Sequence, residues 1–130
     1  MTKRELIDYC MMYWQHLCEK VWEIMKDFPC DYIDYHIGIH SLTYGEDAEC
    51  CYALHIDPQH QSIYLSNGCR QFYDNSVVED DVVYGYDEID DKKMDTFVSI
   101  VLYIAKHEEE IIQRMNQAMN LINYIKDAAK

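Results

Sequence analysis

The residues of this chain that are best able to do chemistry are seven carboxylates within thirteen positions. They lie in EDDVVYGYDEIDD, residues 79–91, a segment without Lys or Arg. Calcium takes carboxylate oxygens, and an EF-hand loop has acids at alternate positions before a Gly at the sixth. Counted back from Gly85, the first position is Asp80, but the third and fifth are Val82 and Tyr84. The segment therefore does not match an EF-hand loop.

A surface that meets a positively charged protein is the interpretation we favour for this segment. Carboxylates pair with Arg and Lys, and tyrosines between them provide contact area at a low entropic cost. No partner is needed if the acids merely occupy turns and helix starts, where Asp is favoured, and if the tyrosines cover a sheet edge. The predicted partner-binding residues are Asp74, Glu79, Asp80, Asp81, Tyr84, Tyr86, Asp87, Glu88, Asp90 and Asp91.

The distribution of charge along the chain supports a functional surface. The formal net charge is −13. Residues 1–28 contain four basic and five acidic side chains, and residues 92–130 contain six and five. Residues 29–91 contain a single basic residue, Arg70, and fourteen acids, so they carry the whole imbalance. A solvated surface usually mixes its signs, and turn preferences do not explain why Lys and Arg are absent from residues 29–69.

Histidines and cysteines offer a metal or redox alternative, with six residues of each type. The cysteines form no C-x-x-C pair, and His36 and His40 on one strand would lie about 13 Å apart, too far to share an ion. Either histidine could meet His55 or Cys51 on a neighbouring strand. A metal or redox protein stays open as a third class, but no cofactor and no metal ligand are predicted.

Catalytic motifs are missing from the sequence. It contains no G-x-S-x-G, no P-loop and no G-x-G-x-x-G pattern. A nucleophile made of Cys50 or Cys51 with His55 is disfavoured, because the acidic residues just before them oppose formation of a thiolate. We therefore expect a protein that is not an enzyme.

The elements that position the acids begin with an N-terminal helix, predicted over residues 2–27. Thr2 and Glu5 form a capping box, and apolar residues then recur every three or four positions. Pro29 disfavours helical geometry at the preceding residue and ends the helix.

The apolar period then changes to two, which indicates strands. Residues 31–66 are predicted to form a three-stranded antiparallel meander, with a turn at Asp57 and Pro58. SNGCRQFYDNS, residues 66–76, is predicted to be irregular, and VVYGY, residues 82–86, supplies a short fourth strand at the edge.

A long C-terminal helix is predicted over residues 91–128, with a heptad-like apolar seam from Phe97 to Ile125. Unbroken, it would span about 57 Å at 1.5 Å per residue, whereas a domain of this length has a radius of gyration of about 14 Å. The helix must overhang, break near residues 106–110, or pair with a second chain in a homodimer. Glu108 lies on the seam and favours a break.

These elements predict one α+β domain over residues 1–130, in the order α-β-β-β-(β)-α. An N-terminal helix and a long C-terminal helix pack on one face of a three- to four-stranded antiparallel sheet, and the strand-and-loop region of residues 29–90 carries the acidic surface. No stretch approaches the roughly 20 apolar residues of a membrane span, and the N-terminus lacks the apolar region of a signal peptide. The cysteines are then expected to be reduced thiols in the cytoplasm.

Two classes of function fit this pattern best. The first is a binding or inhibitor protein whose carboxylates dock on a basic, nucleic-acid-binding partner, without direct contact to nucleic acid or membrane. Phage anti-defence proteins, including anti-CRISPR DNA mimics, and immunity proteins of nuclease toxins are built in this way. The alternative is an acidic secretion-type chaperone or adaptor that binds a client segment through an apolar surface. Salt should weaken the first kind of complex and spare the second.

Overall fold

The N-terminal helix buries one face because its apolar residues recur every three or four positions. The computed structural model describes residues 1–29, 33–37, 52–58, 60–66 and 70–130. Helix α1 spans Lys3–Met25. The predicted capping box is present, since the Thr2 hydroxyl accepts from the Glu5 amide at 3.1 Å and the Thr2 amide donates to the Glu5 carboxylate at 3.2 Å. The N-terminal helix predicted from the sequence is confirmed.

An antiparallel sheet follows, in which each strand pairs with the next along the chain, in the order β1-β2-β3-β4-β5-β6. Residues 38–51, which the predicted meander includes, lie outside the described residues. The strands are β1 Ile33–Ile37, β2 Tyr52–Asp57, β3 Ser62–Ser66, β4 Arg70–Tyr73, β5 Val77–Glu79 and β6 Val82–Tyr84.

The α+β architecture is confirmed, but within the described residues the sheet has six strands instead of three to four. Strand β4 lies in the segment predicted to be irregular, and β5 was not predicted. Both are too short, at four and three residues, to show a period of two on their own. The predicted edge strand is confirmed as β6, which ends at Tyr84 and leaves Gly85 and Tyr86 in a loop.

The inner face of the sheet is apolar. Leu54, Leu65, Phe72 and Val77 lie opposite one another across β2 to β5, and all four are fully buried. The rings of Phe72 and Phe97 have centroids 5.1 Å apart, which joins the sheet to the C-terminal helices. Alternation in strands places the neighbouring residues on the outer face.

On that outer face, aromatic rings form a row across three strands. His55 stacks on Tyr64 with ring centroids 4.5 Å apart, and Tyr64 lies 4.9 Å from Tyr73. Cross-strand aromatic pairs of this kind stabilise a sheet. The row ends at Tyr73, the last residue of β4, and the next residue is Asp74, the first of the predicted partner-binding acids.

The C-terminal segment is interrupted at His107, within the interval where the sequence left a break open. A 3-10 helix at Asp91–Met94 leads into α2, Asp95–Lys106, and α3 follows at Glu108–Ala128. Glu108, the residue after the break, lies against α1, where its carboxylate accepts from the Tyr13 hydroxyl at 2.8 Å and from Lys20 at 3.2 Å. On an unbroken seam this charge would face the core, where an unpaired carboxylate is costly.

The end of α3 projects beyond the packed helices. The start of α2 lies beside the start of α1, where Lys3 and Asp95 form an ion pair at 2.6 Å. Helix α3 is buried on one side only as far as Met115, and no residue from 116 to 130 is buried. Leu121, Tyr124 and Ile125 are between 54% and 71% exposed. The overhang that the sequence left open is therefore present together with the break.

Candidate partner-binding surface

One of the ten predicted partner-binding residues lies in the core. Tyr86 is 4% exposed, and its ring lies 5.4 Å from that of Phe97. Its hydroxyl donates to the Tyr73 carbonyl at 2.5 Å, and the Trp14 indole donates to the same carbonyl at 3.0 Å. Burial raises the pKa of Tyr86 far above the ordinary value of a tyrosine. Tyr86 thus fixes the end of β4 from inside instead of offering a contact to a partner.

Glu79 is also used internally. Its carboxylate contacts the Arg70 guanidinium across the β4–β5 ladder and accepts from Lys93 at 3.2 Å. The hydrogen bond from Lys93, helped by Arg70, holds the pKa of Glu79 below its usual value despite some burial. A carboxylate with two cationic partners has little charge left for a third.

Asp91 pairs with Arg4, whose guanidinium lies 3.1 Å from its carboxylate. The same guanidinium donates to the Tyr86 carbonyl at 3.0 Å and lies 3.3 Å from Asp8. Arg4 thereby joins the start of α1 to the loop before the 3-10 helix. Asp91 therefore belongs to this set of contacts around Arg4 and is not an unpaired carboxylate.

Asp90 and Glu88 stabilise the local backbone while they remain exposed. Asp90 caps the 3-10 helix, since its carboxylate accepts from the Lys92 amide at 3.0 Å. Glu88 accepts from the Gly85 amide at 2.9 Å and closes the loop after β6. A Cβ at Gly85 would lie 2.7 and 2.9 Å from the Asp87 and Glu88 carboxylates, so those two side chains would have to shift.

Four of the predicted acids are exposed and have neither an ion pair nor a side-chain hydrogen bond with any residue that the structure describes: Asp74, Asp80, Asp81 and Asp87. Tyr84, the tenth predicted residue, is half-buried at the edge of the core. The alternative in which every acid serves a turn or a cap accounts for Asp90 and Glu88. That alternative assigns no capping or ion-pair contact to Asp74, Asp80, Asp81 or Asp87.

The unpaired acids are not all in one place. Asp80 and Asp81 form the two-residue turn between β5 and β6, with φ of 51° and 64°. We call this pair the hairpin tip. Asp74 and Asp87 lie at the opposite end of the same strands, because β5 runs from the β4–β5 turn to the tip and β6 returns.

At that opposite end, two further carboxylates of α1 join the surface. A cavity of about 330 Å³ lies between α1 and the loop after β6, lined by Asp8, Asn75 and Asp87 and also by Arg4, which pairs with Asp8. A second cavity, of about 310 Å³, lies on the other side of the β4–β5 turn. It is lined in part by Glu19 of α1 and by Asp74. The helix-side acidic surface is defined as Asp8, Glu19, Asp74, Asp87 and Glu88.

Sequence reasoning missed Asp8 and Glu19 because their helix has almost no net charge. A weaker signal was present, since Asp8, Gln15, Glu19 and Trp22 follow one flank of α1 at helical spacing. The Gln15 amide donates to the Asp74 carbonyl at 2.9 Å, so this flank is held against the β4–β5 turn. The helix flank and the turn therefore act as one surface.

Comparison with protein-family models, with curated proteins and with solved structures gave no match.

Among the described residues, no group of three or more His, Cys, Asp or Glu side chains is placed to hold a metal ion. The side chains of His36, His40, Cys50 and Cys51, which carried the metal and thiol alternatives, lie outside the described part of the chain. Cys10 and Cys18 are buried free thiols, and burial raises the pKa of both, which disfavours a nucleophilic thiolate. Of the helices in the described ranges, none combines the length and apolarity needed to cross a membrane.

Proposed function

We propose that this protein is a small acidic binding or inhibitor protein that docks its carboxylates on a basic, nucleic-acid-binding protein. The partner is of the kind met by anti-CRISPR DNA mimics, other phage anti-defence proteins or nuclease-toxin immunity proteins. In this proposal the protein acts in the cytoplasm by stoichiometric binding, without catalysis, cofactor or direct contact to nucleic acid.

One observation carries the proposal: exposed carboxylates without local cations remain after every structural role has been assigned. Asp74, Asp80, Asp81 and Asp87 make no ion pair within the described residues, although Glu79 and Asp91 beside them are neutralised. Unpaired like charges destabilise a fold through self-repulsion. A basic partner removes that repulsion on binding, and long-range attraction speeds the encounter.

The two acidic groups lie far enough apart to follow a phosphate backbone. The three residues of β5 separate the hairpin tip from the β4–β5 turn, which corresponds to about 10 Å of strand. The phosphates of one DNA strand advance about 3.4 Å per step along the helix axis. Carboxylates at both ends of the hairpin can therefore compete for several of the cations that line a nucleic-acid groove.

The decisive experiment uses the immobilised protein to capture partners from a lysate and then challenges the complex in two ways. Capture should fall steeply between about 0.1 and 1 M salt, because the Debye length shrinks from about 10 to about 3 Å. Duplex DNA should displace the captured protein at low salt, because both compete for one groove. Retention that is unchanged at about 1 M salt, or by saturating duplex DNA, would reject the proposal.

The second candidate is the acidic chaperone or adaptor, favoured by the exposed end of α3. Leu121, Tyr124 and Ile125 lie at positions i, i+3 and i+4 and form an apolar stripe beyond the packed part of the helix. A client segment held there would stay bound at high salt. The homodimer that the sequence left open would use the same stripe, and sedimentation of the purified protein separates the two, because a dimer forms without any client.

A further inference from the structure

The cavity beside the β4–β5 turn combines two carboxylates with two aromatic rings. Its volume is about 310 Å³, and it opens between the second half of α1, the β2–β3 turn and the β4–β5 turn. Glu19 and Trp22 come from the helix, one turn apart, and Tyr73 and Asp74 come from the end of β4. Among the described residues that line it, none is a Lys or an Arg.

The charges of both carboxylates act on one buried residue of the cavity lining. Cys18 is buried and belongs to the lining, and its pKa is raised first by burial and then by the charges of Asp74 and Glu19. Two elements distant in sequence therefore direct negative potential into one recess. A recess with low-dielectric walls focuses such a field more strongly than a flat surface does.

The walls of the cavity are held rigidly. The Tyr73 carbonyl accepts from the Trp14 indole and from the Tyr86 hydroxyl, and the Asp74 carbonyl accepts from Gln15. Tyr73 also packs on Tyr64, with ring centroids 4.9 Å apart. The recess thus exists before any ligand arrives, which lowers the cost of ordering on binding.

We propose that this cavity, defined by Glu19, Trp22, Tyr73 and Asp74, binds the guanidinium group of an arginine side chain of the basic partner. A guanidinium is planar, stacks on aromatic faces and pairs with carboxylates in two directions. The volume suits one such side chain, and the lining supplies acceptors and rings without a competing cation. This assignment rests on the proposed function, since it names the partner group that the helix-side acidic surface receives.

The test needs no partner protein. The ¹⁵N-labelled chain is titrated with Nα-acetyl-arginine methylamide, and the shift of the Trp22 indole N–H is followed. The citrulline analogue, which has nearly the same shape but no charge, serves as the ligand control. We expect saturable binding of the arginine probe that is at least about fivefold tighter than that of the citrulline probe, from the charge-assisted and cation–π contacts together.

Matched variants locate the site. Asp74→Asn and Glu19→Gln should each weaken the arginine probe about three- to fivefold, as expected for a partly exposed pair, and the double variant should bind it no better than citrulline. Asp80→Asn removes the same charge at the hairpin tip and should leave the affinity unchanged. Equal binding of the two probes, or equal weakening by Asp80→Asn and Asp74→Asn, would overturn the assignment.

The two proposals fail separately. If the arginine probe does not bind while partner capture remains sensitive to salt and DNA, the cavity assignment is wrong and the proposed function stands. If the probe binds as expected while captured proteins ignore salt and DNA, the proposed function is wrong and the cavity remains an arginine-binding site.

Discussion

Two adjacent carboxylates on the β5–β6 hairpin have opposite environments. Glu79 is 18% exposed and contacts both Arg70 and Lys93. Asp80, the next residue, is exposed at the hairpin tip and has no cation within the described part of the chain. The difference shows that charge density along a sequence does not tell which acids stabilise a fold. That depends on cations that come from other elements.

The same contrast holds between Glu108, which is paired with another helix, and the loop residues Asp74 and Asp87, which are not paired within the described residues. Glu108 is 26% exposed and holds the helix break against α1 through Tyr13 and Lys20. Asp74 and Asp87 lie on loops where no described cation reaches them. We therefore divide the acids into structural carboxylates, which are Glu79, Asp91 and Glu108, and unpaired carboxylates, which are Asp74, Asp80, Asp81 and Asp87.

The largest change in stability should come from low pH, because acid protonates the structural carboxylates. The pKa of Glu79 is lowered chiefly by the hydrogen bond from Lys93, and that of Glu108 chiefly by the hydrogen bond from Tyr13. Because both pKa values are lower in the folded state, the stability they contribute is complete above the unfolded value of 4.5 and is lost as the pH falls below it. Chemical denaturation from pH 7 to pH 2.5 measures this loss.

The double variant Glu79→Gln/Glu108→Gln serves as the control for the acid experiment. It should be less stable at pH 7 and should lose less stability than the wild type below pH 4.5, since it no longer protonates these two sites. A variant curve that runs parallel to the wild-type curve below pH 4.5 would show that other carboxylates cause the acid loss.

Glu108→Gln alone should lower the free energy of unfolding by about 1 kcal/mol, because the charge-assisted bonds from Tyr13 and Lys20 are weakened at a partly exposed site. Glu109→Gln is the matched control. It removes the same charge from the same first turn of α3, but Glu109 is exposed. Equal losses in urea denaturation would mean that the helix dipole, and not the contact with α1, accounts for the effect.

Much of this fold could be predicted from the sequence, and the reasons are local. The capping box at Thr2, the apolar period of α1 and the alternation that marks the sheet each depend on neighbouring residues. Strands β4 and β5 escaped prediction because they are shorter than the window that a period needs. Glu108 on the apolar seam indicated the break, since the conflict lay within one helix.

The candidate site was only partly predictable because its decisive contacts are distant in sequence. Arg70 lies nine residues from Glu79, and Lys93 lies fourteen away. No pattern within residues 79–91 shows that these cations reach Glu79 and not Asp80. Glu19 and Asp74 meet at one cavity from different elements, and only the packing of α1 on the β4–β5 turn brings them together.

Replacing the hairpin tip should stabilise the fold. Asp80 and Asp81 both have positive φ, a conformation that Asn and Gly adopt more readily in a two-residue turn. Asp80→Asn/Asp81→Gly should raise the free energy of unfolding by about 0.5–1 kcal/mol, because relief of the left-handed strain outweighs the unfolded-state entropy that Gly adds. Asp80→Asn/Asp81→Asn separates the causes, because it removes the repulsion without the Gly. If the two variants are equally stable, the additional backbone freedom of Gly over Asn at position 81 contributes nothing to the gain.

The smallest expected effect on stability is at Asp74 and Asp87. Each of Asp74→Asn and Asp87→Asn should change the free energy of unfolding by less than about 0.5 kcal/mol, since an exposed residue outside the ion-pair network contributes little. The same substitutions should weaken capture of the basic partner at low salt. A loss above about 1 kcal/mol in urea denaturation would place them among the structural carboxylates. Unchanged stability with weaker capture would instead mean that these acids contribute to binding and not to the fold.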